Sequence, residues 1–245
     1  ARPHSGLIYA DIVIEMVAEG GVTRFIALFS SYDADIIGPV RSARIYFAEI
    51  ARGFDPIYTF WGSYPQAYDA IKNMDMDVLD ANSTAYVNYT SAGWREPTRS
   101  DSLEHTAFID TYGIKEDALK YGYSLEGGQS PMAFKLDAKE SERGNIDNII
   151  VNFSSESYVA GFSYDKKTNK YLKYLAEKPH TDFETGIQIS LNNVIVLITD
   201  IEGPIDQYGH MIIRNTGSHS EGKSYYFMDG NVIEGTWARE NIYVP

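Results

Sequence analysis

The chain has 245 residues, with 34 acidic side chains against 21 basic ones and a net charge of −13. That balance excludes a nucleic-acid surface, which needs a basic face, and adsorption to an anionic bilayer. It contains no cysteine, which excludes disulfides, thiolate nucleophiles and cysteine-ligated zinc.

The length suits one large domain or two small ones, and 19 tyrosines point to sheets whose rings pack while their hydroxyls stay wet. No run of 18 apolar residues marks a transmembrane helix and no signal peptide opens the chain. The abrupt start on ARPHSG is expected to follow an export signal or lipid anchor that has been removed.

Residues 1–130 alternate strand-like and helix-like segments and read as a mixed α/β domain. ADIVIEMV (10–17) is apolar and β-branched, a buried strand, and EGG breaks it. TRFIALFSS (23–31) reads as its hairpin partner. SARIYFAEIARGF (42–54) repeats Ala43, Phe47, Ile50 and Ala51 at helical spacing, with Ser42 as cap and Gly53 as terminator. PIYTFWG (56–62) is strand-like, and YPQAYDAIKN (64–73) is a helix with Pro65 in its first turn. DMDVLDAN (75–82) reads as a solvated turn without the glycine and glutamate of a calcium loop. A loop covers about 80–103, HTAFID (105–110) is a short strand, and TYGIKEDALKYGY (111–123) a helix.

The helical period vanishes near residue 133, and the boundary is expected in LEGGQSPMA (125–133). Residues 131–245 read as an antiparallel β domain, with strands over 147–154, 158–165, 170–175, 189–200, 210–216, 224–229 and 231–237. DKKTN and the Asp-Gly of MDGNV are hairpin turns. The fold class is therefore α+β, the second part closing into a sandwich or barrel.

Three stretches, ARPHSGLIYADIVIEMVAEGGVTRFIALF, GPVRSAR and EHTAFIDT, resemble the YerB-like lipoprotein family of Gram-positive bacteria, as do KPHTDFETGIQISLNNVIV and TGSHSEGKSYYFMDGNVIEGTW. The resemblance covers nearly the whole chain. It implies a membrane-anchored extracytoplasmic protein in two parts and supplies no catalytic residues, since the family has no established activity. Relatives start with a strand before RPxSGL and run on past GTW, so pieces are expected to be missing at the start and before ARENIYVP.

Within this acidic chain, Arg24, Arg41 and Arg44 fall close together, two of them behind Gly38-Pro39. A guanidinium grips carboxylate or phosphate with a planar fork. If Arg41 and Arg44 share a face at a helix start, they make an anion site with Arg24 beside them. The duller alternative pairs them internally with Glu15, Glu19 and Asp33. In TRSDSLEHTAF (98–108), His105 is a candidate acid, base or sensor, with Arg99 six residues before; Glu104, its neighbour in a strand, points the other way. His180 and Asp182 in KPHTDFETG share a strand face but are too few for a metal, so this reads as a polar hairpin turn. His4, His210 and His219 read as terminal or loop residues. GxSxG, P-loop and GxGxxG motifs are absent, and no cofactor or metal is expected.

The leading expectation is an extracytoplasmic envelope protein, held by a lipid, that binds an anionic cell-wall ligand through Arg24, Arg41, Arg44, Arg99 and His105. The alternatives are a hydrolase or transferase of cell-wall polymers using the same residues, and a module that binds a protein partner through the tyrosine-rich β part.

Overall fold

The structure, a computed structural model, describes residues 2–100, 102–130, 132–207, 209–213 and 220–245. It is an α+β fold. Among the described residues all three α-helices end by Lys120, and the described chain beyond that point is strand, coil and short 3-10 turn.

β1 (Ile12–Val17) and β2 (Thr23–Leu28) form an antiparallel ribbon with Met16 opposite Arg24 and Glu15 opposite Phe25. The ribbon carries apolar residues on both faces, and both faces are at least partly covered. Alternation sends Met16, Arg24 and Ile26 to one side, where Met16 and Ile26 pack on Ala18, Tyr46, Phe47 and Ile213. The other side turns Glu15 and Phe25 toward Lys173 and His180 of the C-terminal half.

α1 (Ile45–Arg52) starts later than a Ser42 cap requires. The Ser42 hydroxyl donates instead to the Trp61 carbonyl at 3.2 Å. Arg44 is the N-cap, extended at φ −133° and ψ 151°, and no side chain caps the first turn. β3 (Ile57–Phe60) and β4 (Asp77–Asp80) are parallel neighbours joined by α2 (Pro65–Lys72), which begins on Pro65 as expected. The acid-rich stretch 75–82 is therefore a strand rather than a solvated turn. Val78 joins the core of Ala48, Phe60, Tyr68 and Ile71. Asp80 is buried because the Gly62 and Asn82 amides each donate to it at 2.8 Å and the Tyr68 hydroxyl at 2.5 Å. β5 (Gly93–Arg95) rises from the expected loop and pairs with β6 (Ala107–Ile109). α3 (Thr111–Lys120) comes next, capped by Asp110.

In the C-terminal half, β7 (Asn148–Asn152), β8 (Val159–Asp165), β9 (Lys170–Leu175), β10 (Lys178–Pro179) and β11 (Ser190–Leu191) make one antiparallel sheet. The stretch 189–200, read as one strand, is two: past Asn192 the chain changes sheets, and β12 (Asn193–Leu197) pairs elsewhere. β13 (Ile201–Glu202) and β14 (Ile212–Ile213) pair only with each other among the described residues. The strand expected over 210–216 is seen at Ile212–Ile213; residues 214–219, His219 among them, lie outside the described residues. β15 (Ser220–Met228) lies between β12 and β16 (Asn231–Arg239). The two larger sheets close as a sandwich over Ile149, Phe162, Tyr171, Val194 and Phe227.

Between the halves, the described part of 124–139 holds neither α-helix nor strand, and Phe134 and Leu136 stand 95% and 93% exposed. The halves nonetheless touch through buried polar contacts. Lys173 Nζ donates to Glu15 Oε2 at 2.7 Å, the Gly6 amide to Asp182 at 2.6 Å, and Arg239 Nη2 to the Glu49 carbonyl at 2.7 Å.

Candidate anion site

The five candidate residues fall into three groups, each with an acid. Arg44 grips Glu19 with Nε at 2.6 Å and Nη2 at 3.1 Å, and its Nη1 donates to the Ala43 carbonyl at 2.8 Å. Arg24 Nη2 reaches the same carboxylate at 3.1 Å. The EGG break makes this possible. Gly20 and Gly21 sit at φ 70° and 73°, where glycine is favoured. The Ala18 amide closes the turn on the Val22 carbonyl at 2.7 Å. That tight return sets Glu19 beside the two arginines.

Arg41 lies in extended chain ahead of α1, so no helical face brings it next to Arg44. It donates to Glu104 at 2.8 Å. His105 Nε2 is 3.6 Å from the other Glu104 oxygen. The strand argument that turned these neighbours apart fails because Leu103–His105 is a 3-10 turn. Burial lowers the His105 pKa; Arg41 adds to this and Glu104 opposes it. Arg99 is a tie between the halves: it donates to Ser5 at 2.7 Å and to Glu184 at 2.5 Å, with its guanidinium 3.9 Å from the Phe183 ring centre. Of the other acids expected to neutralise arginines, Glu15 is spent on Lys173 and Asp33 on Lys115.

The Glu19 group is unbalanced: one carboxylate meets two guanidiniums, leaving a surplus positive charge. Arg24 Nη1 is sealed from solvent and has no hydrogen-bond partner, and the same holds for the Tyr46 hydroxyl. Tyr46 is only 5% exposed. Burial, with the Arg44 charge, lowers the Arg24 pKa to about 10 against the pull of Glu19. Burial pushes the Tyr46 hydroxyl well up, with Glu19 adding to it, so it stays a neutral donor. The uncapped first turn of α1 begins here, at Arg44. The Arg44 guanidinium lies 5.7 Å from the Tyr64 ring centre, and the His210 ring stacks on Tyr64 at 4.4 Å. The ingredients are those of an anion pocket: charge surplus, unpaired donors and a helix start.

The KPHTD turn is more buried than a polar hairpin should be. His180 Nε2 lies 3.0 Å from His4 Nδ1, and burial with the Lys173 charge lowers the His180 pKa to about 3. Asp182 is occupied by the Gly6 amide and by Thr185. Among the described residues no three His, Cys, Asp or Glu side chains converge to hold a metal. His4 and His210, read as terminal or loop residues, both contact rings. Sequence reasoning passed over Tyr46 and the shared role of Glu19. The ribbon register, with Arg24 on the Met16 face, is the signal that points to them.

The family model described as "Protein of unknown function (DUF3048) N-terminal domain" matches residues 1–124, and that of its C-terminal domain matches residues 149–244. This chain belongs to the DUF3048 family. "Putative lipoprotein YerB" of Bacillus subtilis (strain 168) is 33% identical over 242 residues, covering 98% of this chain and 70% of the relative. The crystal structure of the YerB protein from Bacillus subtilis superposes with a TM-score of 0.82 at 32% identity, covering 98% of this chain and 78% of that one. The RPxSGL, EGGxTRF and GPVRSAR resemblance is thus a DUF3048 membership, and the family's description names no activity.

Proposed function

We propose that this protein is an extracytoplasmic, lipid-anchored envelope protein whose N-terminal half binds one anionic group of a cell-wall ligand at Arg24, Arg44 and Tyr46. The relative's name as a lipoprotein supports the location. The site rests on one observation: two sealed donors, Arg24 Nη1 and the Tyr46 hydroxyl, have no partner beside two guanidiniums that share one carboxylate. Leaving a buried donor unpaired costs about 1–3 kcal/mol. An anion there satisfies both donors and cancels the surplus charge. A surplus of one favours a monoanion, a carboxylate or phosphodiester, over a dianion. Arg41, Arg99 and His105 face acids of their own and are left out of the proposed site.

Calorimetric titration with acetate and with inorganic phosphate tests this. Wild type takes up one anion. Arg24→Gln, which loses a charge-assisted hydrogen bond, binds about 10–100-fold more weakly, while Arg99→Gln binds like wild type. Equal affinity in wild type and Arg24→Gln refutes the site.

A second reading, a module that takes up a partner's strand, is favoured by β16. It is an edge strand, exposed at every residue from 231 to 236, and such edges recruit other strands. Sedimentation velocity of the protein alone, which detects self-pairing of this edge, would show complexes growing with concentration. A monomer at all concentrations, with no strand-forming peptide bound, removes this reading.

A further inference from the structure

We propose that His4 and His180 form an acid-sensitive latch between the two halves, which holds while both rings are neutral and releases when the pair takes up a proton. The latch stands apart from the anion site.

The contact lies in a seam built from both halves. His4 comes from the N-terminal half and His180 from the C-terminal one, and Nδ1 of the first is 3.0 Å from Nε2 of the second. Three further bonds cross the seam beside them. The Phe183 amide donates to the His4 carbonyl at 2.9 Å, the Gly6 amide to Asp182 at 2.6 Å and the Ser5 hydroxyl to Glu184 at 2.9 Å. Phe25 packs on both rings, its centre 5.0 Å from that of His4 and 6.0 Å from that of His180.

Two nitrogens at this distance share one hydrogen, so one ring donates and the other accepts. His180 Nδ1 is sealed from solvent and has no partner. The arrangement that suits it has His180 Nε2 donating to His4, which leaves Nδ1 a bare lone pair. Any proton added to the pair spoils this. On His180 it must go to Nδ1, where no acceptor meets it. On His4 it moves the shared hydrogen to that ring, and neutral His180 must then carry its own hydrogen on Nδ1. Either way a donor is stranded in a buried place.

The charges around the pair do not rescue it. Lys173 and Arg2 oppose a cation on His180, and Asp182 favours one but is already occupied by the Gly6 amide and Thr185. Glu15 is paired with Lys173, and Glu184 with Arg99. Burial with the Lys173 charge brings the His180 pKa from 6.5 to about 3, and burial with His180 brings that of His4 well down. In an opened seam His180 charges near 6.5, and in the closed one only near 3. Closure therefore weakens as pH falls through 6.5, and from pH 7 to 5 the opened fraction rises about 25-fold.

Hydrogen exchange followed by NMR tests the latch in the full chain, with each rate corrected for the intrinsic effect of pH. From pH 7 to 5 the protection of the Gly6 and Phe183 amides falls about 25-fold. The Ala81 amide, on the Phe60 carbonyl, and the Tyr164 amide, on the Asp147 carbonyl, each lie within one half and keep theirs. This window lies above the usual carboxylate range, which sets aside Glu15, Asp182 and Glu184. Flat protection at Gly6 and Phe183 overturns the latch, and an equal fall at all four amides overturns it in favour of general acid unfolding. In His180→Gln the two seam amides lose their pH dependence over this window; a fall as steep as in wild type overturns the proposal. The carbon resonances of the wild-type His180 ring give a check that needs no variant. They report a neutral ring at pH 5, whereas a ring that charges near pH 6.5 with the seam amides still protected contradicts the latch.

Discussion

Glu19→Gln is the sharpest perturbation of the pocket. In wild type this one carboxylate receives Arg44 Nε at 2.6 Å, Arg44 Nη2 at 3.1 Å and Arg24 Nη2 at 3.1 Å. Arg24, Arg44 and Glu19 side chains are all at most 14% exposed, so water compensates little. Breaking a buried pair from one side costs about 3–5 kcal/mol, because the remaining charge is left without a partner. The glutamine keeps the shape and still accepts a hydrogen bond, which favours the lower end, about 3 kcal/mol. For a chain of this size each kcal/mol moves Tm by about 2–4 °C, so the midpoint falls by about 6–12 °C. The variant now has two uncompensated guanidiniums, and phosphate should restore part of the loss by binding the folded state alone. Differential scanning calorimetry with and without phosphate measures both. A midpoint within a degree of wild type would show that Glu19 is not the counter-charge assigned to it. A full drop that phosphate leaves untouched would show struts rather than a ligand site.

Lys173→Met leaves Glu15 buried without its cation and lowers stability by about 3 kcal/mol in urea titration, whereas Lys173→Met with Glu15→Leu recovers most of the loss; equal losses in single and double variants contradict the pairing. Burial raises the Asp117 pKa, but hydrogen bonds from Lys120, Ser91 and Thr90 outweigh it and hold the group at about 2. A pKa depressed on folding gives stability above the unfolded value of about 4 that is lost as pH falls toward 2, so Asp117→Asn should flatten the acid limb of the stability curve, and an unchanged limb rejects this. Limited proteolysis is expected to cut first around the exposed Phe134 and Leu136, marking two units over 1–130 and 131–245, with the pieces still co-eluting because Glu15–Lys173 and Arg99–Glu184 join them; first cuts inside either core contradict the division.

Much of the frame was legible because periodicity and breakers are local. The EGG hairpin, Pro65 at the start of α2, Gly53 at the end of α1 and the Asp-Gly turn before β16 all stand where the residues put them. Misreadings arose where tertiary contacts override local chemistry. The acids of 75–82 look solvated until the Gly62 and Asn82 amides and the Tyr68 hydroxyl meet Asp80. Ser42 looks like a cap until its hydroxyl finds the Trp61 carbonyl. The site divided in the same way. The basic cluster was visible, but which carboxylate each arginine meets depends on the ribbon register and on Glu184, 85 positions from Arg99. Tyr46 carries no signal of its own, since an aromatic in a helix is ordinarily core.

A crystal of the wild-type protein soaked in bromide gives the most direct test, because the ion is a monoanion and its anomalous signal locates it without ambiguity. If two guanidiniums, one carboxylate and an idle tyrosine hydroxyl form an anion pocket, a peak lies within hydrogen-bond reach of both Arg24 Nη1 and the Tyr46 hydroxyl, and it is lost in Arg24→Gln. Bromide found only on exposed surface, with that space empty or holding a neutral water, would contradict it.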